Sequence, residues 1–216
     1  MPKKFTIHYA CASLIPKRTS HVTAISVCDI ATKKLITFSM EDSQRTLGIQ
    51  SAPKELETHL LKQFFTFVSD HWDALWIHWH MDSVEYGFEV LKERYEMLWG
   101  EPAPGFVSTV NLPDKIYEYY EKSCRRYPKM YQLFQENEID DQAILSGREE
   151  AELFARAAYI QIKHSSSAKA KALAKVYDKL QDQSLVAPCS KRDITLWIAG
   201  VLIIFAAIVY IALKGV

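Results

Sequence analysis

The chain has no surplus of charge of either sign: 26 Lys and Arg stand against 26 Asp and Glu over 216 residues. That balance does not mark a nucleic-acid binder. Its four cysteines, Cys11, Cys28, Cys124 and Cys189, lie far apart with no CxxC pair, which argues for reduced cytosolic thiols and against a disulfide framework. No apolar leader opens it, because Met1-Pro2-Lys3-Lys4 runs straight into an alternating segment. Internal repeats, low-complexity tracts and the HExxH and GxSxG motifs are all missing, so neither a solenoid nor a standard zinc or serine hydrolase is indicated. What is present is an apolar fraction of 49% with 12% aromatic residues, which excludes a disordered chain and predicts a packed core.

Ile194 to Leu213 reads ITLWIAGVLIIFAAIVYIAL, with no charged side chain. At about 1.5 Å per residue such a run crosses a hydrocarbon core of about 30 Å. It predicts a transmembrane helix in a single-pass, tail-anchored protein, and Lys191 and Arg192 before it place the N-terminal domain in the cytoplasm. The expected organisation is a cytoplasmic α/β domain over 1–182, a linker over 183–193, the span over 194–213 and a tail over 214–216. Ala199, Gly200, Ala206 and Ala207 form a stripe of small residues that predicts weak homo-oligomerisation within the bilayer.

Phe5, Ile7, Tyr9 and Cys11 alternate with Thr6, His8, Ala10 and Ala12, the period of a strand. Val22 to Ile30 and Leu35 to Met40, joined by Thr32-Lys33-Lys34, read as a hairpin. Leu56, Leu60, Phe64 and Phe67 then predict a helix from near Pro53 to Asp70. ALWIHW, Ala74 to Trp79, is apolar enough for a strand buried on both faces. Asp82 and Glu85 have capping-box spacing and predict a helix that begins at once. Further helices are expected over Asp114 to Arg126, Pro128 to Glu136, from Ser146 with Glu149 as its box partner, and from about Ser167 to Gln181. The order β-β-β-α-β-α followed by helices predicts a ribonuclease H-like α/β fold: a three-strand antiparallel start, a strand–helix unit and a helical C-terminal part.

IHYACASLIP, ITFSM, WIHWHMDSVEYGFEVLKERYEMLWGEP and LSGREEAELFARAAYIQIKHSSS resemble an uncharacterised bacterial family of tail-anchored proteins. The resemblance implies a bacterial inner-membrane location and no particular reaction. His78, His80 and Asp82, at a strand-to-helix junction, are also similar to a motif of the DEDD-type exonucleases, which implies the ribonuclease H-like fold.

A two-metal nuclease needs several carboxylates, and in that fold the first strand supplies one. Between Met1 and Met40 the only acid is Asp29, at the hairpin end of the second strand. His78 and His80, alternating about Trp79, are metal-ligand candidates with Asp82 or His71 as further donors, set against a plainer reading as sheet-edge residues with Asp82 as helix cap. His164-Ser165-Ser166-Ser167 reads as a helix start rather than a nucleophile and base. His8 and Cys11, three apart on a strand, fall on opposite faces and form no dyad. Lys163, Lys169, Lys171, Lys175 and Lys179, with Lys191 and Arg192, make the one basic concentration, for which anionic lipid is the expected partner and a solvated helix face the plain reading.

These residues predict a tail-anchored protein, bound to the lipid bilayer, whose cytoplasmic domain recognises a partner protein or ligand without catalysis and without a cofactor. Nucleic acid is disfavoured as a partner. The alternative is a membrane-tethered, Mg²⁺-dependent nuclease-like enzyme using His78, Asp82, Asp114, Asp140 and Asp141. An acid beside Asp82 favours the enzyme, and a pocket walled by Tyr and Trp favours binding.

Overall fold

The computed structural model describes residues 2–13, 20–120, 129–140 and 142–186. Five strands form one sheet: β1 (Lys4–Cys11), β2 (Val22–Asp29), β3 (Leu35–Ser39), β4 (Leu75–His78) and β5 (Ser108–Asn111). Seven helices among the described residues accompany it: α1 (Met40–Leu47), α2 (Pro53–Asp70), α3 (Phe88–Trp99), α4 (Leu112–Tyr120), α5 (Met130–Glu136), α6 (Gly147–Ala155) and α7 (Tyr159–Gln181). The strand order is β3-β2-β1-β4-β5. The first three strands are antiparallel, as their alternation predicts, and β4 and β5 run parallel to β1. Asp29 folds the hairpin turn, its carboxylate accepting the Ala31 and Thr32 amides at 2.9 and 3.0 Å.

β1 is the central strand, and both of its faces are covered. Phe5, Ile7 and Tyr9 enter a core with Leu60, Phe64 and Phe65 of α2, Trp76 of β4 and Leu91 of α3. Thr6 and His8 meet α7 instead: the Thr6 hydroxyl donates to the Ala170 carbonyl at 2.8 Å, and Ser166 donates to the His8 carbonyl at 3.3 Å. The sequence alternation on β1 therefore separates an aromatic core from a helix seam, with no solvent-facing side. Ile77 joins a second core with Leu133, Phe134, Leu173 and Val176, so β4 is buried on both faces as its composition predicts. Glu57, fully buried, ties β2 to α2 and α3 by accepting from the Val22 amide, His21 and Arg94. Burial opposes its ionisation, but these donors hold the carboxyl below the usual range.

Two helix starts differ from the sequence expectation by more than two residues. α7 begins at Tyr159, so His164-Ser165-Ser166-Ser167 lies inside the helix and caps nothing. Ser165 and Ser166 are wholly buried, and their small side chains let α7 approach β1 while their hydroxyls bond to Glu150 and the His8 carbonyl. α3 begins at Phe88, not beside Asp82, because the chain from Met81 to Gly87 first folds back on itself. Gly87 has φ +146°, and a Cβ there would stand 1.9 Å from the Met81 carbonyl oxygen. The Ser146–Glu149 capping box is present: the Glu149 amide donates to Ser146 at 3.3 Å, and the Ser146 amide donates to Glu149 at 2.7 Å.

The transmembrane helix expected at Ile194–Leu213 is not part of the described fold. That run, its flanking Lys191 and Arg192 and the Ala199–Ala207 stripe lie outside the described residues, and among the described residues no helix is long and apolar enough to cross a membrane. The membrane-spanning, tail-anchored architecture is corrected accordingly to a mixed α/β domain with five strands and seven helices among the described residues. α7, the longest helix among the described residues, breaks its apolar pattern with five lysines and packs against the sheet.

Candidate functional site

Because β1, β4 and β5 are parallel, their carboxyl ends meet at one edge of the sheet, the place where open α/β sheets present their crevices. His78 closes β4 opposite Asn111, which closes β5. The Asn111 side chain organises this edge. Its oxygen accepts the His80 amide at 2.9 Å, and its nitrogen donates to Asp114 at 2.9 Å and reaches Asp82 at 3.5 Å. The Asn111–Asp114 spacing of three residues marks a helix start in the sequence, but the bonds to His80 and Asp82 come from another element and leave no local signal.

His78, Asp82 and Asp114 are thus brought together, and His80 stands beside them. His78 and His80 do not share a strand face, however. β4 ends at His78, and His80 adopts a left-handed backbone with φ +52°, which leaves His78 buried and His80 exposed. The His78 Nδ1 accepts the Met81 amide at 3.1 Å, so the neutral ring carries its proton on Nε2. Burial pushes the imidazole down to about 4, against the pull of Asp82 and Asp114. His71 lies at the opposite end of β4, bonded to the Phe67 carbonyl at 2.9 Å and to Lys3 at 3.2 Å. Among the described residues no group of three or more His, Cys, Asp or Glu is arranged to hold a metal ion. Asp82 is not a helix cap either: Gly87 occupies that position, and the Gly87 amide donates to the Tyr9 hydroxyl at 3.0 Å. Tyr86 stacks on Tyr9 at 4.3 Å and donates to the Tyr9 carbonyl, fastening the loop to β1.

His8 on β1 faces α7 and is about nine-tenths buried, with Nδ1 unpartnered among the described residues. Burial, and secondarily the Lys169 charge, push its imidazole well below the usual range. Next to it the Lys169 ammonium, 2% exposed, is 2.7 Å from Glu150. Glu150 also accepts from Ser165 at 2.7 Å, and Ser165 accepts the Leu145 amide at 2.9 Å. Lys169, expected on a basic surface, is turned inward by the helix, and only its register on α7 tells it from Lys171.

The other basic candidates separate. Lys163 pairs with Asp42 at 2.5 Å, Lys171 and Lys175 are exposed without an ion pair among the described residues, and Lys179 is half-buried near the end of α7. Lys163, His164, Lys171 and Lys175 line a groove of about 660 Å³ between α7 and β3, with Asp140 and Asp42 also on its wall. Asp140 thus lines this groove, with no bond to Asp82 among the described residues, and Asp141 lies outside the described residues. A second cavity, of about 590 Å³, opens beside β5 and is lined by Val110, Tyr119, Tyr177 and Leu180 among others.

No family model matches the chain, and no curated protein matches it.

Proposed function

We propose that the domain is a recognition module that binds a partner without catalysis. The observation that carries this reading is the Lys169–Glu150 pair beside His8. A ribonuclease H-like nuclease, as the sequence resemblance implies, would use an acid on β1 with further acids across the seam to gather Mg²⁺. Here β1 offers His8, and Glu150, a buried carboxylate of the seam with α7, is already satisfied by an ammonium and a hydroxyl. A lysine thus supplies the positive charge that a cation would otherwise provide. The cavity walled by Tyr119 and Tyr177 supports binding, since two aromatic faces and the apolar Val110 and Leu180 offer contact area with a few polar groups around them. Titration of the full chain with Mn²⁺, followed by electron paramagnetic resonance, tests the reading. Free-ion signal throughout agrees with it, and stoichiometric binding abolished by Asp114→Asn contradicts it.

One observation favours a second reading. Asp114 stands beside Asp82, with Asn111 between them. Release of the two carboxylates from that amide would let them share a Mg²⁺ near His78, whose Nε2–H would donate to a substrate oxygen. This supports a metal-dependent phosphodiester hydrolase at the β4–β5 edge.

A further inference from the structure

The groove between α7 and β3 holds an imbalance of charge that the fold does not use. Lys163 and Asp42 neutralise each other at 2.5 Å. Lys171 and Lys175 remain, four residues apart on one side of α7, and His164 lies on the same wall one heptad earlier. Asp140 is the only other described acid on the groove, so the wall is one positive charge in excess even with His164 neutral.

The groove also carries donors suited to oxygen. Thr37 of β3 and Ser167 of α7 line it with their hydroxyls 2.8 Å apart, and Ser26 lies 3.1 Å from Thr37 and 3.5 Å from Ser167. These hydroxyls bond to one another, and rotation of one about its C–O bond offers an O–H to the groove while the remaining pair stays bonded. Two ammonium groups on a flexible stem beside hydroxyl donors match a compact tetrahedral anion with several acceptor oxygens. A volume of about 660 Å³ accommodates a small molecule.

We propose that this groove is a binding site for a small phosphate-bearing ligand, with its phosphate held between Lys171 and Lys175 and within reach of Thr37 and Ser167. The inference rests on the recognition reading and goes beyond it, placing a ligand of named class in a groove that shares no lining residue with the Tyr119–Tyr177 cavity. Asp140 sets the selectivity: it repels a long run of phosphates, so the site takes a ligand with one or two phosphate groups and a neutral or donor end toward Asp140.

Calorimetric titration of the full chain with inorganic pyrophosphate tests the site. We expect saturable binding, weakened roughly tenfold or more in Lys171→Gln with Lys175→Gln and tightened in Asp140→Asn. Lys54→Gln with Lys92→Gln removes the same charge on the α2–α3 side and is expected to leave binding unchanged. A parallel arm uses vesicles of phosphatidylcholine with and without phosphatidylglycerol. Binding of the anionic vesicles alone, lost in the Lys171/Lys175 variant, assigns the same site to a headgroup phosphate. No binding in either arm, or equal loss in the two double variants, overturns the proposal. Neither outcome bears on Mn²⁺ binding, which tests the recognition reading separately.

Discussion

The Lys169 ammonium and the Glu150 carboxylate lie 2.7 Å apart, at 2% and 3% exposure, in the seam between α7, α6 and β1. Burial pulls the lysine below its ordinary range, and Glu150 pulls it back. Breaking such a pair strands a charge in a medium that solvates it poorly. Lys169→Met is therefore expected to cost about 3–5 kcal/mol, and Lys169→Met with Glu150→Gln less than the sum of the two single changes. Urea denaturation of the three variants measures this, and additive losses would show that the two groups do not act as a pair.

His78 gives a pH dependence. Its folded value of about 4 lies below the ordinary 6.5, so the unfolded chain binds the proton more readily. Stability from this group is complete above about 6.5 and is lost as the pH falls toward 4, by up to about 3 kcal/mol. His8 acts in the same direction. In His78→Asn, whose amide oxygen still accepts the Met81 amide, the slope of stability between those limits should flatten. An unchanged slope would remove His78 from the account.

Gly87 is fixed by its backbone. At φ +146°, with the Met81 carbonyl where a Cβ would stand, Gly87→Ala must distort the loop that positions Asp82. The expected loss is at least about 2 kcal/mol, read as a lower urea midpoint.

Asp82 and Asn111 should differ although they touch. Asp82 is exposed and caps no helix, so Asp82→Ala is expected to change stability by no more than about 0.5 kcal/mol. Asn111→Ala removes the acceptor of the His80 amide and the donor to Asp114, and is expected to cost about 1–2 kcal/mol. Thermal melts of the two variants separate these cases.

How much of this was legible depended on whether the signal was local. The β1 alternation, the apolar ALWIHW strand and the Ser146–Glu149 box each follow from near neighbours, and each is found in place. β5 was missed because Ser-Thr-Val-Asn has neither an apolar run nor a long alternation, and it becomes a strand only by pairing with β4. Asp82–Glu85 has the same spacing as Ser146–Glu149 but caps nothing, because the Tyr9 hydroxyl and the Gly87 backbone, distant in sequence, fix the loop first. The serines at 165–167 read as a helix start because hydroxyls favour caps, whereas here the seam with β1 requires small buried side chains. Of the site, His78, Asp82 and Asp114 were expected only as part of a wider set with Asp140, which lines the α7–β3 groove instead, and Asp141, which lies outside the described residues, while Asn111 and the Lys169–Glu150 pair depend on contacts between elements.

The most direct measurement of the central claim is cleavage itself. The full chain, incubated with Mg²⁺ or Mn²⁺ and labelled single- and double-stranded DNA and RNA, is expected to leave every substrate intact, as are its Asp82→Asn and Asp114→Asn variants. Metal-dependent cleavage by the unaltered chain that disappears in both variants would contradict the recognition reading and place a hydrolase at the β4–β5 edge.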